Sequence, residues 1–177
     1  VGSEMCIRDR RNANISGLTY KADLSGADLS DAKLQDAILR YADLTGADLS
    51  GANLSRANLQ DAIMNDADLT GANFSDANLI IAEFNRADLS GADLSALSLV
   101  RSNLVDADLS GADLSDAEFH HTNLSGADLS GANLQGTNLI GADLSGANLS
   151  NANLSGARFG NGWRFGNTNF SGADLSL

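Results

Sequence analysis

Ala42-Asp43-Leu44-Thr45-Gly46-Ala47-Asp48-Leu49-Ser50-Gly51-Ala52-Asn53-Leu54-Ser55 repeats one arrangement every five residues: a small residue, a polar one, a leucine, then a pair suited to a turn. A spacing of two puts Ala and Leu on the same side of an extended segment, so both point inward while the Asp or Asn between them points out. The Thr-Gly or Ser-Gly pair must then turn the chain before the next Ala re-enters the core. Glycine tolerates the positive φ that such a corner can need, and Asp or Asn can hydrogen-bond nearby backbone. Five residues are therefore one short side and one corner. A helix, which Ala and Leu favour by propensity, fails on geometry. Five residues advance about 500° at about 100° each, so successive leucines drift by about 140° and form no stripe.

Outward from this stretch, a bulky residue falls at every fifth position from Leu24 to Phe159, with Met64, Phe74, Phe84 and Phe119 standing in for leucine. Leu97, Ser102, Thr122 and Thr137 replace the small inward Ala; the polar ones are expected to bond the backbone, and Leu97 to need local widening. The number of sides per coil follows from the residue after each bulky one. Sorted at intervals of twenty, one column reads Ser30, Ser50, Thr70, Ser90, Ser110, Ser130, Ser150, and another reads Arg40, Gln60, Ile80, Val100, His120, Ile140, Gly160. A coil of three units would mix these columns, so four units per coil is the reading. Residues 22–159 then make about seven coils, a rod roughly 34 Å long at ~4.8 Å per coil.

The tandem units, such as Ala47-Asp48-Leu49-Ser50-Gly51, resemble the pentapeptide-repeat family. That resemblance implies an all-β fold, a right-handed quadrilateral parallel β-helix with four pentapeptides per coil. It says little of function, because unrelated roles share the scaffold.

The 177 residues contain 18 Gly, no Pro, one Cys and a net charge of −12. Low aromatic content and negative charge alone would suggest disorder, but a disordered chain has no reason to keep a fixed period. Apolar runs fall far short of the ~18 residues a membrane span needs. The acidic balance disfavours direct nucleic-acid binding and favours a basic partner or cations. Glu4-Met5-Cys6-Ile7-Arg8-Asp9 reads as a translated sequencing-library adapter, so residues 1–10 are set aside as non-native and Cys6 carries no information. Residues 11–21, with Ile15 and Tyr20 out of phase, read as an irregular first coil. In 160–177, Trp163, Phe165 and Phe170 read as an irregular aromatic-rich coil with a bulge at Gly160 to Arg164, then a further repeat cut short. A cytoplasmic location is the default, with secretion left open because the native N-terminus need not be present. Uncapped terminal coils leave end-to-end self-association open.

Two sets of outward residues are candidate sites. Asp28, Asp48, Asp68, Asp88, Asp108 and Asp128 form an acidic ladder on one side. At ~4.8 Å, neighbouring unit charges repel by about 0.9 kcal/mol in bulk water. The ladder reads either as a strip for cations or a basic partner, or as a product of repeat duplication tolerated through screening. Arg40, Tyr41, Ile80, Ile81, Val100, Arg101, His120, His121 and Ile140, with Ile63 and Val105 on the next side, form a variable face. Apolar residues rimmed by Arg and His read as a contact surface for another protein, against drift on a solvent face. Glu118, His120 and His121 have no third His or Cys one coil away, so no metal is expected. A convex rod encloses no pocket, and neither catalytic residues nor a cofactor are assigned. The reading is thus a non-enzymatic interaction scaffold. The alternative comes from the resemblance: some family members mimic DNA, bind type II topoisomerases such as gyrase, and protect against their inhibitors. The charge density here is roughly one per 3 Å, against one per ~1.7 Å in B-DNA.

Overall fold

Each outward residue between the small position and the leucine bridges, in parallel, to the residue twenty positions on: Asp48 to Asp68, Asn53 to Asn73, Asn58 to Asn78, Ile63 to Glu83. The computed structural model describes residues 21–160, and this register holds from the Asp23–Asp43 bridge to the Asn138–Arg158 bridge. Twenty residues therefore return the chain to its starting side. Leu49 N–H donates to the carbonyl of Asp68 at 2.7 Å, and Asp68 N–H donates back to Ala47 at 3.0 Å. The corner is tied in the same way, Gly51 N–H to Thr70 at 2.8 Å, so each coil satisfies the backbone of its neighbours. The result is a right-handed, four-sided parallel β-helix without α-helices in the described segment.

The corners are β-turns closed by the bond from each small residue's N–H to the preceding leucine's carbonyl, as in Ala52 to Leu49 at 2.9 Å. The fifth residue of every unit from 21 to 156 sits at φ between 56° and 73°, whatever its identity. That is the left-handed value a type II turn requires at its second central residue.

Sides are numbered here by their bulky residues. Side 1 carries Leu24, Leu44, Met64, Phe84 and their successors, side 2 starts at Leu29, side 3 at Leu34 and side 4 at Leu39. Sides 2 and 4 lie across the square from one another, half a coil apart. The interior is apolar: Leu29 through Leu144 and the stacked alanines are buried, including Phe74, Phe84 and Phe119. Each fully buried Leu or Phe contributes about 1.5–3 kcal/mol. The hydroxyls at small sites do bond the backbone, Ser102 to Leu79, Thr122 to Leu99 and Thr137 to Leu114 at 2.7–2.8 Å. Each adds a second donor to a carbonyl on the coil below. Leu97 is buried at its small site, and its closing bond to Leu94, 3.3 Å, equals that of Ala67 to Met64, so the turn shows no widening particular to it.

The expectations for residues 1–10, for Ile15 and Tyr20, and for Trp163 and the bulge extending to Arg164 lie outside the described residues.

Candidate interaction face

On side 2 the aspartate ladder is a column of turn caps. Each Asp Oδ1 accepts the N–H of the residue two positions on: Ser30, Ser50, Thr70, Ser90, Ser110 and Ser130, at 2.9–3.3 Å. Asp28, Asp48 and Asp68 also accept the neighbouring hydroxyl at 2.6–2.7 Å. These bonds give every carboxylate a local reason to be there, independent of any ligand. The side 2 corners are relaxed as well: Asp31, then Gly51, Gly71, Gly91, Gly111 and Gly131, then Asn151.

Side 4 departs from this at each point. Its outward column reads Ile38, Asn58, Asn78, Ser98, Glu118, Asn138. Only the three asparagines cap their turns, through Gln60, Ile80 and Ile140 N–H at 3.2–3.4 Å. Its corners carry Tyr41, Asp61, Ile81, Arg101 and His121, all at φ 56–60°, and then Gly141 at φ 73°. A left-handed residue other than glycine costs roughly 1–2 kcal/mol, and for β-branched Ile81 the conformation is a true outlier. Elsewhere, non-glycine corners are mostly Asp or Asn, which tolerate this region, or arginines paired with the coil below. Arg56 holds Asp36 and Arg86 holds Asp66 through two bonds each, at 2.7–2.8 Å.

The large outward apolar side chains exposed in the described segment all belong to side 4 or its corner: Ile38 at 49%, Ile81 at 41% and Tyr41 at 38%; Phe159, also exposed, is an inward residue of the last described coil. Ile80, Val100 and Ile140 are half-buried, like the serines that occupy their position on side 2, as are Ile63 and Val105 on side 1. Ile80, Ile81 and Val100 form one contiguous patch. His120 separates it from Ile140.

The polar members are partly engaged. Arg40 donates to Tyr41 Oη at 3.2 Å, lies 5.1 Å from its ring centroid, and approaches Asp61 at 3.7 Å, while its Nε has no partner. His120 contacts Asn138 and lies 3.7 Å from Glu118, and Asn138 donates to Glu118 Oε2 at 2.8 Å. The His120 and His121 rings stand edge to face, 6.2 Å apart. No group of three His, Cys, Asp or Glu side chains arranged to hold a metal occurs among the described residues. Sequence reading missed Asp61 and Asn138. Both lie within one twenty-residue step of a candidate, so reading the columns vertically would have found them.

The family model for pentapeptide repeats matches in eight copies, over residues 20–51, 52–91, 92–131 and 127–161. The chain belongs to the pentapeptide repeat family. Among solved structures, it is similar to alr5209, a pentapeptide repeat protein from Nostoc PCC 7120. Identity there is 51% over 42% of this chain and 62% of that one, less than two thirds of its length, with a TM-score of 0.42. It is also similar to HetL from Nostoc sp. strain PCC 7120, a pentapeptide repeat protein involved in heterocyst differentiation regulation. That match has 31% identity over 95% of this chain and 87% of that one, with a TM-score of 0.43. A trypsin-treated single-residue variant of QnrB1, a plasmid-mediated fluoroquinolone resistance protein, matches at 21% identity over 90% and 84% of the two chains, with a TM-score of 0.50. No curated protein matches. Membership gives this pentapeptide-repeat chain a scaffold fold, and no helix among the described residues is long and apolar enough to cross a membrane.

Proposed function

We propose that this pentapeptide-repeat protein is a non-enzymatic scaffold that presents side 4 as a protein contact surface. The observation that carries the reading is Ile81: a β-branched side chain held at φ 60° and 41% exposed, where glycine would relieve the strain and the apolar exposure together. Tyr41, Arg101 and His121 repeat the arrangement along the same edge, with Arg40, Ile80, Val100, His120 and Ile140 beside them. A flat strip of mixed apolar and cationic side chains on a rigid rod suits a protein partner and encloses no substrate. The test is capture by the immobilised chain. Ile80→Asp with Val100→Asp should leave the β-helix spectrum unchanged and abolish capture of the partner; undiminished capture would reject side 4.

A second reading, DNA mimicry toward a type II topoisomerase, is favoured by the regular row of six side 2 carboxylates. It predicts inhibition of gyrase supercoiling that is lost when those aspartates are changed together to asparagine, which the turns accept, as Asn148 does in capping Ser150.

A further inference from the structure

We propose that Glu118, His120 and Asn138 form a pH-sensitive latch on side 4: neutral His120 holds the Asn138 amide where it caps its turn, and protonated His120 releases that amide by pairing with Glu118. Asn138 is buried, at 5% exposed, although it points outward from its side. Its amide is engaged at both ends. Nδ2 donates to Glu118 Oε2 at 2.8 Å and contacts His120 Nε2, while Oδ1 accepts the Ile140 N–H at 3.4 Å. An ionised carboxylate only accepts and a backbone N–H only donates, so Glu118 and Ile140 together fix which end of the amide points where.

That orientation decides the state of the imidazole. An amide nitrogen offers only hydrogens, so its contact with His120 is a hydrogen bond when Nε2 carries a lone pair and the ring proton sits on Nδ1. Imidazole is the side chain whose charge ordinarily changes between pH 5 and 8. A proton arriving on Nε2 sets one donor against another. Turning the amide over gives no relief, because Nδ2 would then face the Ile140 N–H and Oδ1 the Glu118 carboxylate. Glu118 supplies the way out. Its Oε2 lies 3.7 Å from His120 Nε2, so a movement of about 1 Å makes a charge-assisted bond. That oxygen is the one Asn138 holds, so the amide loses partners at this end and its cap on Ile140 loosens.

Other charges around the ring favour the same movement. His121 shares the coil, its ring 6.2 Å away, and Arg101 lies one coil below, its N–H bonded to the His120 carbonyl at 2.9 Å. A cation at either position turns protonated His120 toward Glu118. Asp116 stands at the opposite corner of the side, and Arg158 lies a coil beyond Asn138. Ile140 and Gly141, on the coil above, do not titrate, nor do Asn103 and Asn123 on side 1. Asn58 and Asn78 cap Gln60 and Ile80 in the same way at 3.2 Å, but Arg40 and Gln60 stand where His120 would be, so those turns have no latch. His120, His121 and Ile140 belong to the contact face proposed above, and the latch makes presentation of that face depend on pH; this last step alone rests on that reading.

The test is an NMR titration of the full ¹⁵N-labelled chain between about pH 8 and about pH 5. At the alkaline end His120 should carry its ring proton on Nδ1. As pH falls, the His120 ring, the Asn138 side-chain amide and the Ile140 backbone N–H should shift along one curve, while the N–H signals of Gln60 and Ile80 stay still. His120→Gln, which can face Asn138 without titrating, should hold the Asn138 and Ile140 signals constant, and His121→Gln should leave the common curve intact. Glu118→Gln, which keeps an acceptor for Asn138 and removes the charge, should move that curve to lower pH; an unmoved curve overturns the release step. A neutral His120 protonated on Nε2 overturns the latch, as does a His120 curve that Asn138 and Ile140 do not share, or an Ile140 shift that survives His120→Gln. The latch is a property of the free chain, so its failure leaves side 4 standing as a contact surface, and a failed capture experiment leaves the latch.

Discussion

Sides 2 and 4 share a core and differ in everything outside it. Leu89 and Leu79 are equally buried between leucines, although the inward columns of side 4 also hold Leu97, Phe119 and Thr137 where those of side 2 hold only Leu and Ala. Yet side 2 caps its turns with aspartate, and with Asn148 at the last, and turns mostly on glycine, while side 4 lacks caps at Ile38, Ser98 and Glu118 and turns on Tyr, Ile, Arg and His as well as Asp61 and Gly141. Side 2 keeps the turn chemistry that the repeat itself requires. The other gives up local stability at several coils, and backbone strain retained at solvent-facing positions is what the contact surface proposed for side 4 would account for.

The comparison can be broken most forcefully inside the rod. Leu89→Ala and Leu79→Ala should each cost about 2–5 kcal/mol in urea unfolding, and by similar amounts, because each is stacked between two leucines, Leu69 and Leu109 or Leu59 and Leu99. A large inequality would mean that side 4 differs in its core as well as its surface. Next in size is a corner swap. Ile81→Gly should stabilise by about 1 kcal/mol, while Gly91→Ile, at the equivalent side 2 corner, should destabilise by about 1–2 kcal/mol. Gly91 has no atom within 4 Å of an added Cβ, so the left-handed backbone supplies the main penalty. If Ile81→Gly destabilised instead, the strain argument for side 4 would fail. Smaller again are the caps. Asp88→Ala removes the bond to Ser90 N–H at 3.0 Å and should cost about 0.5–1.5 kcal/mol. Ser98→Asp, which supplies side 4 with a missing cap, should recover a similar amount, read as a shift in melting temperature.

The smallest expected effect concerns acid. Hydrogen bonds from Arg56 and Arg86 hold Asp36 and Asp66 below the usual carboxylate value of 3.8. The Ser115 N–H, then its hydroxyl, does the same for Asp113, and the Ser25 hydroxyl for Asp23. A carboxylate lowered in the folded chain contributes stability above its unfolded pKa and loses it as pH falls through the folded value. The melting temperature should therefore decline below about pH 4, and Arg56→Ala with Arg86→Ala should flatten that decline. None of these four carboxylates projects from side 4, so hydrogen exchange along its bridging residues, from Asn58 to Asn138, should be the last to respond.

The period, the four sides and the inward columns are legible because a β-helix repeats its chemistry as often as its geometry: Leu49 lies over Leu69 in sequence columns as in space. The candidate face is legible as the column that never conforms to Ser or Thr. The corner strain is not. Gly51 announces a left-handed corner by its residue type, whereas Tyr41, Ile81 and Arg101 give no local sign of one, and only their place in the register reveals it. The aspartate ladder reads as a repulsive row because pairwise charge is visible in sequence, while the bonds from Ser50 and Thr70 that justify each carboxylate depend on the turn that follows it.

Because each coil bonds only to the coils beside it, the rod has the arithmetic of a ruler. Duplication or loss of one twenty-residue block between Arg40 and Arg101 would change their separation by a single ~4.8 Å graduation and leave the surroundings of each almost unaltered. A five-residue change would instead rotate everything beyond it by a quarter turn. Reach along this molecule can thus be edited in whole steps, independently of which side chains do the reaching.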